Sequence, residues 1–159
     1  MKALDLLNDI VVFDMDGVLN KYDFTDLGFK MQSEKEWVKL NMVMNPYEFA
    51  AKTSLFDELI EKKNSMDIYA LSVATSNFEQ NNKMSFLEEN YPNFREDNIL
   101  FVSDKAYKVE VLKYLRELYD NSSKRDKTIV MIEDNVETLS DIISLNNDKI
   151  KCYLVSDFI

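Results

Sequence analysis

Two aspartates one residue apart, Asp14 and Asp16, run directly into Gly17, and a second acidic pair, Glu133-Asp134, stands far down the same chain. Ser72 and Lys108 lie between them. The 159-residue sequence contains no histidine. That absence removes the Ser/His/Asp triad, the Cys/His dyad, a His-held zinc ion and any imidazole general base, since each needs the one side chain that titrates near neutrality. Catalysis therefore falls to carboxylates, lysine, hydroxyls or a metal held by oxygen atoms. The single cysteine, Cys152, allows neither an internal disulfide nor a thiolate metal cluster and suits a reducing compartment. It reads as a small buried hydrophobe without a chemical role. With only Gly17 and Gly28, the chain can write neither GxGxxG nor GxxxxGKS, so a glycine-rich nucleotide loop is excluded.

Such residues act together only if the fold gathers them. Five short runs of Ile, Val, Leu, Phe and Tyr, at 10–13, 68–71, 99–102, 128–132 and 151–155, read as strands. Each is nearly continuous in apolar character, the mark of a parallel strand covered on both faces. Helical patterns fall between them: 83–89 with Met84 and Leu87, 109–119 with Val111, Leu112, Leu115 and Leu118, and 138–145 with Leu139, Ile142, Ile143 and Leu145. The alternation predicts a doubly wound α/β sheet. In such sheets ligands bind beyond the carboxyl ends of the strands. Asp14 and Asp16 follow the first strand, Ser72 the second, Lys108 the loop after the third, and Glu133-Asp134 the fourth, so acids, a hydroxyl and an ammonium converge on one edge.

The first connection is too long for one helix, with about 54 residues between Phe13 and Ile68. Residues 33–44 and 46–63 read as helices, with Asn45 placed to cap and Pro46 at the first helical position. The chain then divides into a core of 1–20 and 65–159 and a small helical cap of 21–64. The cap's Tyr22, Phe24, Trp37, Tyr47 and Phe49 could stack on a base, although aromatic residues at such spacing more often pack a core.

Composition sets the outer bounds. A chain with 46% apolar and 30% charged residues is an ordinary globular one. Its formal net charge of −10 argues against duplex nucleic acid as a partner, because no basic face is visible. No apolar run reaches membrane-spanning length and the opening residues lack a secretory core, so a cytoplasmic protein is expected.

The string VVFDMDGVLN resembles motif I of the haloacid dehalogenase-like (HAD) hydrolases. The remaining motifs follow in the family's order: YALS is similar to motif II, Lys108 in KVEVLKYL to the motif III lysine, and IVMIEDN to the motif IV acidic pair. The resemblance implies a Rossmann-like fold, a Mg²⁺ cofactor and phosphoryl transfer through an aspartyl-phosphate. It makes Asp14 the nucleophile and Asp16 the acid that protonates the leaving oxygen and then deprotonates water. Mg²⁺ would be held by Asp14, the backbone carbonyl of Asp16, and Asp134, with Glu133 accepting from metal-bound water. Ser72 and Lys108 would hold the phosphate, with Thr75 and Ser76 competing for the first role and Lys105 for the second. Motif IV more commonly reads Asp-Asp or Gly-Asp, and the reverse assignment of Glu133 and Asp134 would move the metal.

Within the superfamily the chain most resembles the 5'(3')-deoxyribonucleotidase-like branch, through DMDGVL, a small helical cap, and LS followed about eleven residues later by Lys83 opening a helix. The expected activity is a Mg²⁺-dependent phosphomonoesterase acting on a small phosphorylated substrate, foremost a nucleotide 5'-monophosphate. Sugar phosphates or phosphorylated nucleic-acid termini are the alternative substrates, and a non-catalytic HAD-like binding protein is the alternative class.

Overall fold

The near-continuous apolar runs form a parallel sheet because helices cover both of its faces. The computed structural model of the chain describes residues 1–21 and 34–159. Its strands are β1 (Ile10–Phe13), β2 (Asn20–Lys21), β3 (Ala51–Lys52), β4 (Ile68–Val73), β5 (Ile99–Val102), β6 (Ile129–Glu133) and β7 (Ile150–Leu154). The helices are α1 (Glu34–Val43), α2 (Asp57–Lys62), α3 (Asn77–Asn90), α4 (Lys108–Asp120) and α5 (Val136–Ile143). Five strands pair in the order β5-β4-β1-β6-β7, every pair parallel.

Alternate residues of each strand enter opposite cores. Val11, Phe13, Ile68, Ala70, Val130 and Ile132 face one core, which Leu59, Ile60, Phe86 and Leu87 of α2 and α3 close. Ile10, Val12, Leu71, Ile129 and Met131 face the other, closed by Leu112, Leu115 and Ile142 of α4 and α5. This is the expected Rossmann-like α/β arrangement. The chain runs outward from β1 through β4 to β5, then crosses to β6 on the other side of β1, so strand order reverses at β1 and a crevice opens beyond its carboxyl end.

Local differences from the sequence reading have identifiable causes. β4 continues through Ser72 and Val73 because both pair with β5, so Ser72 lies inside the strand instead of just after it. Helix α3 starts at Asn77, well ahead of the expected 83, with the Ser76 Oγ accepting from the Glu79 amide at 3.2 Å. Its buried members are Glu79, Lys83, Phe86 and Leu87, at helical spacing, but two of them are charged and imitate a solvated face. Lys83 therefore sits in mid-helix and does not open one.

Residues 46–63 do not form the single helix that their apolar spacing predicts. Asn45 does cap, its Oδ1 accepting from the Tyr47 amide at 3.0 Å, but the turn it begins is a 3-10 turn ending at Phe49. The chain next pairs β3 antiparallel with β2. Thr53 anchors this pairing, donating from Oγ1 to the Val18 carbonyl at 2.7 Å and from its amide to Leu19 at 3.1 Å. Ser54 then takes φ 62°, a left-handed value that interrupts any helix. Phe56 and Leu59 beyond it are fully buried in the core that holds Phe13, with the Phe13 and Phe56 rings edge-on at 5.4 Å. By contrast, α1 lies along α3, where the Asn82 side-chain amide donates to Asn41 Oδ1 at 2.9 Å.

Tyr22 and Phe24 lie outside the described residues. No helix among those described is long and apolar enough to cross a membrane.

Candidate active site

The loop leaving β1 is held so firmly that its acids have little freedom. The Asp14 amide extends the β1–β6 ladder by donating to Ile132 at 2.9 Å. The chain then folds back, and the amides of Val18, Leu19 and Asn20 all donate to the Met15 carbonyl. Met15, Val18 and Leu19 have no exposed surface, and the buried Tyr91 hydroxyl donates to the Leu19 carbonyl at 2.7 Å. Gly17 adopts φ +82°, and a Cβ there would stand 2.2 Å from the Asp134 Oδ2. Glycine is thus demanded twice over, by the turn and by the carboxylate that lies against it.

Asp14, Asp16, Ser72, Lys108, Glu133 and Asp134 all line one cleft of about 200 Å³ at the carboxyl edge of the sheet. One carboxylate oxygen each from Asp14, Glu133 and Asp134 lies within 4.8 Å of the others. The buried Lys108 ammonium donates to Asp14 Oδ1 at 3.0 Å and to Glu133 Oε2 at 2.9 Å. The other Glu133 oxygen accepts from the amides of Asp134 and Asn135. Lys108 reaches inward because it is the first residue of α4, whose axis starts at this edge. Lys105 belongs to the preceding 3-10 turn, and its ammonium pairs with Glu137 on the exposed rim.

Crowding sets the electrostatics. Burial pushes the Asp14 carboxyl up to about 7, with Glu133 adding to the shift and Lys108 opposing it. Burial, then the charge on Asp14, pushes Asp134 up to about 6. Burial alone would lower Lys108, but Asp14 and Glu133 more than offset it and hold the ammonium above its ordinary value. With all three carboxylates ionised against one ammonium the cluster carries two surplus negative charges, which a divalent cation would balance. All the donors are oxygens, which suits a hard cation such as Mg²⁺. The Thr138 hydroxyl, buried in the same cleft, has no hydrogen-bond partner among the described residues. An orphaned hydroxyl beside an acidic cluster fits a site that takes up a hydrated ion.

A second lysine, Lys83, completes the cleft with a buried ammonium; the sequence marks it only through the deoxyribonucleotidase-like resemblance and gives it no role in the site. It donates to Ser72 Oγ at 2.7 Å and lies 3.1 Å from Asp16 Oδ2 and 3.4 Å from Glu79 Oε2. The capping pattern SNFE at 76–79 could have revealed the true start of α3 and hence the inward register of Lys83. The competitors of Ser72 have other work: Thr75 donates to Glu79, and Ser76 caps α3. Asp16 accepts from Asn20 Nδ2 at 3.2 Å and from the Tyr47 hydroxyl at 3.3 Å, while Trp37 Nε1 donates to Glu79 at 2.8 Å. Tyr47 is only 3% exposed, with its ring packed against Trp37 and Phe86, so it offers no face to a base. Phe49 is exposed. Cys152 is half-buried against the second core, and burial pushes its thiol up to about 12, consistent with an inert side chain.

No protein-family model matches the chain, and no curated protein matches its sequence. The chemistry of the cleft is what bears on function.

Proposed function

We propose that this chain is a HAD-like phosphomonoesterase that hydrolyses a small phosphate ester, foremost a nucleotide 5'-monophosphate, through an aspartyl-phosphate on Asp14. The observation that carries the reading is the convergence of Asp14, Glu133 and Asp134 within 4.8 Å at the strand edge where DxDG follows β1. Lys108 occupies one oxygen of Asp14 and so fixes the plane of the carboxylate, leaving the other oxygen to attack phosphorus. Asp16, which lines the same cleft, donates a proton to the departing ester oxygen and afterwards takes one from the water that opens the acyl phosphate. Ser72 and Lys108 supply donors for phosphoryl oxygens.

Asp14, Asp134 and the Asp16 backbone carbonyl would hold Mg²⁺, with Glu133 beside them. Bound there, it would offset the repulsion between an anionic nucleophile and an anionic phosphate and polarise the phosphoryl group. Within the inserted segment, α1 and the turn carrying Tyr47 serve as the cap, seated on α3, while α2 belongs to the core.

Phosphate release from a panel of nucleoside monophosphates and sugar phosphates, with and without Mg²⁺, tests this. Mg²⁺-dependent release is expected, falling about a thousandfold or more in Asp14→Asn. Thermal protection by Mg²⁺ with beryllium fluoride should vanish in the same variant. No release from any ester, together with no protection, overturns the reading.

A further inference from the structure

The Asp16 side chain is about one-third exposed, on a loop, and must nonetheless present its carboxyl group in one orientation if it is to protonate a leaving oxygen. Two of its donors belong to the core: Asn20 on Oδ1 and Lys83 on Oδ2. The third is Tyr47 on Oδ2, and it comes from the segment inserted between β1 and β4. Tyr47 is unusually well fixed for a surface-segment residue. Pro46 precedes it, Asn45 caps its amide, and its ring meets Trp37 edge-on at 6.0 Å and Phe86 at 6.3 Å. A tyrosine hydroxyl has one O–H to donate, and here it is directed at Asp16 Oδ2.

We propose that Tyr47 is a positioning residue: its hydroxyl orients the Asp16 carboxyl group, so that seating of the α1–Tyr47 segment on α3 completes the proton donor of the site. The proposal rests on the phosphatase reading. In the step concerned, an Asp14 oxygen forms a bond to phosphorus while the P–O ester bond breaks, its electron pair going to the leaving oxygen. The proton on Asp16 passes to that oxygen, and the carboxylate left behind accepts from Tyr47 and Lys83. Tyr47 gains and loses nothing. Asp16 recovers its proton from the water that attacks the acyl phosphate.

Leaving-group dependence separates this role from simple packing. A p-nitrophenolate departs without a proton, whereas an alkoxide needs one. The parameter kcat/KM covers only events up to the first irreversible step, ahead of the water attack. Tyr47→Phe, which keeps the ring, should lower kcat/KM about tenfold for a nucleoside 5'-monophosphate and less than about twofold for p-nitrophenyl phosphate. Asp16→Asn should show the same asymmetry more strongly, and adding Tyr47→Phe to it should cost nothing further. Equal losses on both esters, or no loss on either, overturn the role of Tyr47. If Asp16→Asn itself lacks the asymmetry, the assignment of Asp16 falls and Tyr47's role with it. A wild-type protein inert toward both esters overturns the phosphatase reading underneath.

Discussion

Two buried lysines at one sheet edge each sit between two carboxylates, yet the clusters they organise differ in how their negative charge is met. Lys83 lies between Asp16 and Glu79, and both acids have neutral donors as well: Asn20 and Tyr47 on the first, Trp37 and Thr75 on the second. Lys108 lies between Asp14 and Glu133, with Asp134 crowding in as a third acid. Asp14 has no neutral side-chain donor among the hydrogen bonds described, and its carboxyl is pushed up to about 7. One cluster is complete within the protein; the other holds surplus charge that the protein does not answer. The first is suited to holding pieces together and the second to taking up a cation.

Replacing each lysine by methionine sharpens this contrast most. Removing one partner of a buried ion pair typically costs about 3–5 kcal/mol, so both Lys83→Met and Lys108→Met should unfold at markedly lower denaturant concentration. Mg²⁺ should restore much of the loss in Lys108→Met and little in Lys83→Met. Equal rescue of both would erase the distinction. The pH dependence of the metal-free protein gives the next largest effect. Because the folded-state pKa of Asp14 is raised, the folded state holds a proton that the unfolded chain has already released, and stability declines as pH rises from about 4 through about 7. Asp14→Asn should shrink this decline to the part that burial of Asp134 contributes, so that its stability relative to wild type improves between pH 4 and pH 8. Denaturant melts of both proteins across that range check it.

Trp37→Phe deletes a donor to the buried, charged Glu79 and should cost about 1.5–3 kcal/mol, without altering Mg²⁺ affinity if the two clusters are independent. The smallest effect runs the other way. Thr138→Val removes a buried hydroxyl with no described partner and should raise the Tm of the metal-free protein by about 2–4 °C, while weakening the Mg²⁺-induced shift. A lower Tm would mean that the hydroxyl is satisfied in the folded chain.

The same contrast explains what the sequence could disclose. The Lys108 cluster was legible because each member stands at the end of a strand or the start of a helix, and those strands are apolar runs that are easy to recognise. The Lys83 cluster was not, because Glu79 in the first turn of α3 and Lys83 in its middle are buried charges, which periodicity assigns to solvent. Tyr47 and Trp37 could be marked as aromatic but not aimed, since their direction depends on packing between α1 and α3. The break between Phe49 and Asp57 was hidden for a related reason. Leu55, Phe56 and Leu59 have helical spacing, and only the long-range pairing of β3 with β2 and the anchoring of Thr53 override it.

The chain contains one tryptophan, and it lies at the seam between α1 and α3, bonded to the acid that Lys83 holds. That indole is a built-in optical gauge. Lifting of α1 would move it from a half-buried, hydrogen-bonded setting into water and red-shift its emission, even while the sheet beneath stayed folded. Unlabelled protein can therefore report docking of the inserted segment separately from global melting, in the same cuvette and during turnover.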